Sequence, residues 1–279
     1  MMRRSVLHLL AGALLLVPAA CSTVDATAVN RSAAPPLPSK FAAIVVDASN
    51  GSTLYQAASG DIRYPASLTK MMTLYLVFEA LDQGRLTKAT QIPVSAHAAG
   101  QPPSKLGLKA GQSIDAETAI SALAVKSAND VACAVGEYLG GSEDAFARSM
   151  TAKAQALGMT STTFRNASGL HDPLQRTTAR DMAVLGLRLR RDFPQYFGYF
   201  AQRSFAYNGR FVRGHNRALD MIPGANGIKT GYTRDSGFNL VTSVERDGRM
   251  LIGVVMGEDS AKVRDERMTA LMNRYMAAR

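Results

Sequence analysis

Pro65-Ala66-Ser67-Leu68-Thr69-Lys70-Met71-Met72-Thr73-Leu74-Tyr75-Leu76-Val77-Phe78 is the stretch around which the chain is organised. Met71, Leu74, Tyr75 and Phe78 recur at i, i+3, i+4 and i+7, which predicts a helix with one apolar stripe. Pro65 fits the helix entry, where a missing N–H costs nothing, and Gly84 supplies a stop. Ser67 and Lys70 then share the first turn, three residues apart on one face. A hydroxyl stands beside an amine where backbone N–H groups point outward.

A serine hydroxyl is a poor nucleophile until a base takes its proton. Lysine can be that base only when neutral. Its ordinary pKa of about 10.4 must fall by roughly 3 to reach neutrality near pH 7, a bias of about 4 kcal/mol. Burial, a nearby positive charge and the positive end of a helix all push that way. The blander reading is a serine at a helix start with a solvated lysine nearby. Ser-x-x-Lys is common, so the rest of the chain must decide.

Upstream, Met1-Met2-Arg3-Arg4 precedes an apolar run from Val6 to Val17 and then Pro18-Ala19-Ala20-Cys21. Two positives, an apolar core and small residues read as an export signal over 1–20, too short for a comfortable membrane span. Small residues before Cys21 also suit a lipoprotein-type signal, which would leave Cys21 as a lipidated first residue. Pro18 departs from the usual aliphatic residue there, and ordinary cleavage near Ala20 or after Ala28 is the alternative. Residues 21–38, with Pro35-Pro36 and Pro38, read as a flexible tether. Residues 39–279 are then enough for one large domain or two intimately packed lobes.

The chain has two cysteines, so without Cys21 no intrachain disulfide is expected for Cys133. Neither cysteine pairs with a histidine at zinc-ligand spacing, and Cys133 reads as a small core residue. The formal charge is +10. No basic run with interleaved aromatics accompanies it, which argues against nucleic acid. Attraction to an anionic envelope, or simply a solvated basic surface, accounts for it.

Strand-like residues 42–48 and 52–56 flank Asn50-Gly51, a hairpin turn signal. The stretch 85–112 is loop-rich. Ser113 is positioned to cap a helix over 115–124, and Val131, Val135 and Leu139 mark another that ends at Gly140-Gly141. Ser142 caps a third, Thr178 with Asp181 a fourth, and 142–191 reads as mainly a helical lobe. Asn208-Gly209 marks a hairpin, and 223–227 a turn before Ile228-Lys229-Thr230-Gly231-Tyr232. Strands at 238–245 and 249–257 join through Asp247-Gly248, and a helix covers 260–277. Strands at both ends and helices in the middle make an α+β plan, in which the N-terminal hairpin completes a sheet with the C-terminal strands.

Ser67-x-x-Lys70, Ser127-x-Asn129 and Lys229-Thr230-Gly231 occur in this order. Each is weak alone; together they form the set used by penicillin-binding serine enzymes. From about Phe41 onward the chain resembles the low-molecular-mass D-alanyl-D-alanine carboxypeptidase family of serine peptidases. The resemblance implies a β-lactamase/transpeptidase-like fold. It has a five-stranded antiparallel sheet covered by helices, with an adjoining all-helical lobe and a cleft between them. It implies Ser67 as acylated nucleophile, Lys70 as base and Ser127 as proton relay to the leaving amine. Asn129 would orient the substrate amide. Lys229 and Thr230 would meet the peptide carboxylate, and Gly231 would allow close approach. The Ser67 and Tyr232 N–H groups would form the oxyanion hole. No cofactor or metal is implied.

The implied substrate is a peptidoglycan stem peptide ending in D-Ala-D-Ala, with β-lactams as covalent inhibitors and a periplasmic or envelope location. Many family members carry a further C-terminal β domain and an amphipathic anchor. Neither is expected here, so any membrane attachment falls to Cys21. No Glu-x-x-Leu-Asn context appears, and 163–177 offers only Asp172, so slow trapping by β-lactams is favoured over hydrolysis. A cross-link-cleaving endopeptidase would use the same residues. A wall-binding module that lost catalysis is disfavoured by the intact motifs. A Ser-His-Asp hydrolase lacks its Gly-x-Ser-x-Gly, and His97, His171 and His215 read as surface or loop residues.

Overall fold

The computed structural model describes residues 39–277. The signal, tether and Cys21 assignments lie outside the described residues. The chain opens with the hairpin β1 (Ala42–Asp47) and β2 (Thr53–Ala57), and a 3-10 turn at Ala66–Thr69 runs into α1 (Lys70–Asp82). Next come β3 (Gln91–Pro93), α2 (Ala96–Ala99) and β4 (Ser113–Asp115). Helix α3 (Ala116–Ser121) continues as a π-turn over Ala122–Lys126 before α4 (Asn129–Gly140), α5 (Glu143–Ala156) and α6 (Ala179–Asp192). A 3-10 turn at Phe197–Ala201 leads to β5 (Ser204–Tyr207), β6 (Arg210–Arg213) and α7 (Ala218–Met221). Strands β7 (Ala225–Thr233), β8 (Gly237–Arg246) and β9 (Arg249–Glu258) precede α8 (Ala261–Ala277).

Five strands form one antiparallel sheet in the order β2-β1-β9-β8-β7, as the α+β reading requires. Its strands alternate faces at the period of two. On β1, Ala43 and Val45 join Leu251, Val255, Met268 and Met272 beneath α8. Ile44 and Val46 join Ile252, Val254, Met182 and Leu185 on the other face, where α6 lies. With both faces covered, the central strands can be continuous apolar runs, and β1 is buried throughout.

Four expectations need correction. Helix α1 does not carry a single stripe, because Lys70 to Phe78 are all buried. It is a central helix, packed by α4, α5 and α6 on different sides, and its apolar surround follows from that. Ser113 lies in β4, and Asp115 makes the cap instead, accepting the Thr118 N–H. Helix α6 is not part of a separate lobe: its apolar face is spent on the sheet, against β1, β8 and β9. Ser142 and Thr178 do cap α5 and α6, each accepting an N–H three residues on. The turn before β7 stops at Gly224, and Ala225 to Gly227 already pair with β8 through a bulge.

Candidate active site

The 3-10 turn at Ala66–Thr69 carries Ser67, and the first residue of α1 is Lys70. Lys70 is wholly buried. Its Nζ lies 3.2 Å from Ser67 Oγ, 2.7 Å from Asn129 Oδ1 and 2.6 Å from the Ser168 carbonyl oxygen. These three contacts suit a neutral amine once burial has lowered its pKa. A neutral lysine has two N–H donors and one lone pair. Asn129 and Ser168 offer only acceptor oxygens and take the two donors, which leaves the lone pair facing the Ser67 hydroxyl. Burial pushes the Lys70 pKa well below its ordinary value, and the positive charge of Lys229 adds to this. Asp130 and Glu143 pull weakly the other way.

Ser127 ends the π-turn in a left-handed conformation, φ +60°. A serine pays for that conformation locally, which suits a position where direction matters more than stability. Its Oγ is buried and, among the described residues, has no hydrogen-bond partner. An orphaned hydroxyl costs about 1–3 kcal/mol. It lines the cleft, so a ligand can supply the partner. Asn129 opens α4, and its Nδ2 donates to the Pro102 carbonyl at 2.9 Å. Both ends of this amide are therefore engaged by the protein. Its carbonyl holds Lys70, while Asn129 lines the cleft and its Nδ2 has a second N–H beyond the bond to Pro102.

Strand β7 brings Lys229, Thr230, Gly231 and Tyr232 to the same place. Lys229 is buried, and its Nζ donates to the Thr230 carbonyl at 3.0 Å. Burial and then Arg264 push its pKa down to about 7. A Cβ at Gly231 would stand 3.0 Å from the Pro65 carbonyl and 3.1 Å from the Ser67 nitrogen, so the strand lies against the serine turn because no side chain intervenes. Tyr232 is half-exposed, its ring stacked on Phe238 at 4.2 Å.

A cleft of about 670 Å³ gathers Ser67, Ser127, Asn129, Thr230, Gly231 and Tyr232. A cavity of about 760 Å³ elsewhere, lined by Asp47, Arg188 and Arg249 among others, holds none of these residues. The cleft also takes in residues that spacing does not reveal. Gly169, φ +86°, sits where a Cβ would come within 1.9 Å of the Ala66 carbonyl oxygen. Arg264 and Arg217 add positive charge, and burial, Lys229 and Lys126 hold the His215 imidazole below its ordinary pKa. Asp130 is fully buried and accepts from the Leu106, Gly107 and Leu108 N–H groups, at 2.8–3.0 Å. The order Ser-x-Asn-Asp hinted at this carboxylate; the others act through backbone or charge and leave no local pattern.

Among the described residues, no helix is long and apolar enough to cross a membrane. The chain is 30% identical over 235 residues to D-alanyl-D-alanine carboxypeptidase DacF of Bacillus subtilis, covering 83% of this chain and 60% of the relative. It spans about three-fifths of the length of the curated relatives it matches. The D-alanyl-D-alanine carboxypeptidase DacD of Francisella tularensis superposes with a TM-score of 0.83 at 29% identity, over 85% of this chain and 70% of that one. Penicillin-binding protein D2 of Listeria monocytogenes, solved in its ampicillin-bound form, gives 0.73 at 30% identity, over 83% and 95%. The family description of the S11 peptidases, the D-alanyl-D-alanine carboxypeptidases, matches residues 29–260. With Ser67, the orphaned Ser127 hydroxyl and the β7 edge in one cleft and Lys70 buried against Ser67, the chain belongs to the peptidase S11 family of D-alanyl-D-alanine carboxypeptidases.

Proposed function

We propose that this protein is a serine D-Ala-D-Ala carboxypeptidase that removes the terminal D-Ala from peptidoglycan stem peptides through a Ser67 acyl-enzyme. The observation that carries the reading is the Ser67–Lys70 contact with both Lys70 donors occupied. Neutral Lys70 takes the Ser67 proton as Oγ attacks the penultimate D-Ala carbonyl. The Ser67 and Tyr232 N–H groups stabilise the oxyanion, the contribution expected to be largest. Ser127 Oγ gives its proton to the leaving amine and regains one from the Lys70 ammonium, which returns Lys70 to neutral, and Lys229 and Thr230 receive the peptide carboxylate. Water then enters, adds to the acyl carbonyl and releases the shortened peptide and free Ser67. The peptide lies extended along β7, the outermost strand of the sheet, which has backbone groups to pair with it.

β-Lactams are expected to acylate Ser67 in the same way. Residues 1–20 are read as the export signal, with Cys21 as a candidate lipidation point, 21–38 as tether and 39–279 as catalytic domain in the periplasm or envelope. Intact-mass measurement of the mature protein with benzylpenicillin tests the chemistry. One penicilloyl adduct is expected, absent in Ser67→Ala. A folded wild type that neither takes the adduct nor releases penicilloate refutes the acyl-enzyme. Defined muropeptides then separate terminal D-Ala release from cross-link cleavage, and the untreated mass identifies the first residue of the mature chain.

A further inference from the structure

Behind the catalytic groups, α2, α4 and the start of α5 bring together four side chains with no part in the chemistry above. Cys133 and Glu137 are four residues apart on α4 and share a face. Across from them His97 projects from α2, and Glu143 opens α5. His97 Nδ1 lies 3.0 Å from Glu137 Oε1 and 3.3 Å from Cys133 Sγ. Cys133 Sγ lies 3.7 Å from Glu137 Oε1 and 3.5 Å from Glu143 Oε2. The donor atoms of His97, Cys133 and Glu137 all fall within 4.8 Å of one another.

We propose that His97, Cys133, Glu137 and Glu143 form a binding site for a borderline-soft divalent cation of the zinc class. A tetrahedral centre with metal–nitrogen and metal–oxygen bonds near 2.1 Å and a metal–sulfur bond near 2.3 Å has donor–donor edges of roughly 3.3–3.7 Å. The separations among His97 Nδ1, Cys133 Sγ and Glu137 Oε1, 3.0, 3.3 and 3.7 Å, approximate three such edges; Glu143 Oε2 stands 3.5 Å from the sulfur and closes on the ion as the fourth ligand by a side-chain adjustment. Thiolate, imidazole and carboxylate together select this class of ion over magnesium or calcium, which want oxygen alone.

The surroundings suit the assignment. Nδ1 is the ring nitrogen of His97 that faces both the Cys133 sulfur and Glu137 Oε1, and so is the atom that would ligate. The Cys133 sulfur stands between two carboxylates, 3.7 Å from Glu137 Oε1 and 3.5 Å from Glu143 Oε2. One weak S–H donor does little for two convergent carboxylates. A divalent cation answers both charges: the metal–sulfur bond forms, the S–H bond breaks, and the proton leaves to solvent. His97, 61% exposed at its side chain, gives the ion a way in.

The site is separate from Ser67 yet mechanically close to it. Cys133 is one turn beyond Asn129, and Glu143 Oε1 accepts the Ala167 N–H, next to the Ser168 carbonyl that holds Lys70.

Equilibrium dialysis of the reduced, full mature chain against zinc, followed by elemental analysis, tests the proposal. One equivalent is expected in the wild type and in Ser67→Ala, with about one proton released per ion. Cys133→Ser and His97→Ala, each confirmed folded by circular dichroism, should bind at least tenfold more weakly. Cobalt in place of zinc should give a thiolate-to-metal charge-transfer band that Cys133→Ser lacks. Absence of stoichiometric binding in the wild type, undiminished binding in Cys133→Ser, or a cobalt spectrum with no thiolate band would overturn it.

Discussion

Lys70 and Lys229 are two amines buried behind the wall of the cleft, and they are held differently. Lys70 has acceptors for both donors and an unclaimed lone pair; Lys229 keeps a single bond to its own strand. The division suits a base and a charge. In the free enzyme the Lys229 pKa is lowered to about 7 by burial and Arg264. Above that pH it loses its proton, and the positive charge that meets a substrate carboxylate goes with it. kcat/KM for a D-Ala-D-Ala peptide is therefore expected to fall above about pH 7, approaching tenfold per pH unit. Bound carboxylate favours the ammonium, so kcat should hold to higher pH. Lys229→Arg, charged throughout, should move the fall in kcat/KM upward. A pH–rate profile unchanged by that substitution would remove Lys229 from carboxylate recognition. The sequence made both lysines visible through their motifs. It could not show Ser168, whose carbonyl acts through the main chain, where any side chain serves equally.

Among the elements, the entry of α4 ties the cleft wall together. The Asn129 N–H donates to the Ser104 carbonyl at 2.7 Å, and the Asn129 side chain holds Pro102. One residue on, the Asp130 carboxylate accepts three N–H groups from 106–108. Each charge-assisted bond of this kind contributes about 1.5–3 kcal/mol, and a buried N–H left without a partner adds its own cost. Asp130→Ala should lower stability by about 3 kcal/mol or more in urea titration. Acylation by a fluorescent penicillin should also slow in the fraction that remains folded, because Asn129 loses its support. A variant as stable as the wild type would show that the loop has other anchors. Much of this level was legible: the caps at Ser142 and Thr178, both hairpins and the α4 pattern stand in the text of the chain. The placement of α6 was not, since an amphipathic helix states that it has a buried face but not which neighbour covers it.

The whole molecule bears the cost of its buried amines. Between the lowered pKa of Lys229, about 7, and the ordinary lysine value near 10.4, the folded protein binds fewer protons than the unfolded chain. Stability must rise with pH across that window, and below it the full cost, on the order of 4 kcal/mol, is present. Tyr75 acts in the opposite sense, because burial and Asp192 push its pKa up to about 12 and withdraw stability above about pH 10. Lys229→Met, apolar and of similar length, should therefore melt higher than wild type near pH 7, with the gap narrowing toward about pH 9.5. Parallel melting curves at the two pH values would mean that Lys229 is not held neutral by the fold. On this scale, the clustering of strands at both ends of the chain with helices between them pointed to the α+β plan and to a sheet that joins the N-terminal hairpin to the C-terminal strands. The cluster of His97 with Cys133 was invisible, because only the packing of α2 on α4 joins residues so far apart in sequence.

The sheet has a temporal consequence. Ala42 pairs with Met256 and Asp47 with Leu251, so the two central strands β1 and β9 come from opposite ends of the described chain. Their meeting must wait until nearly everything between them exists, and a contact of such sequence separation carries a large loop-closure penalty on the way to the native state. Ser67 is made early and β7 late, yet neither has a cleft without the other. The chain therefore spends its synthesis without a cleft, and the acyl-enzyme proposed at Ser67 becomes possible only with the final act of folding.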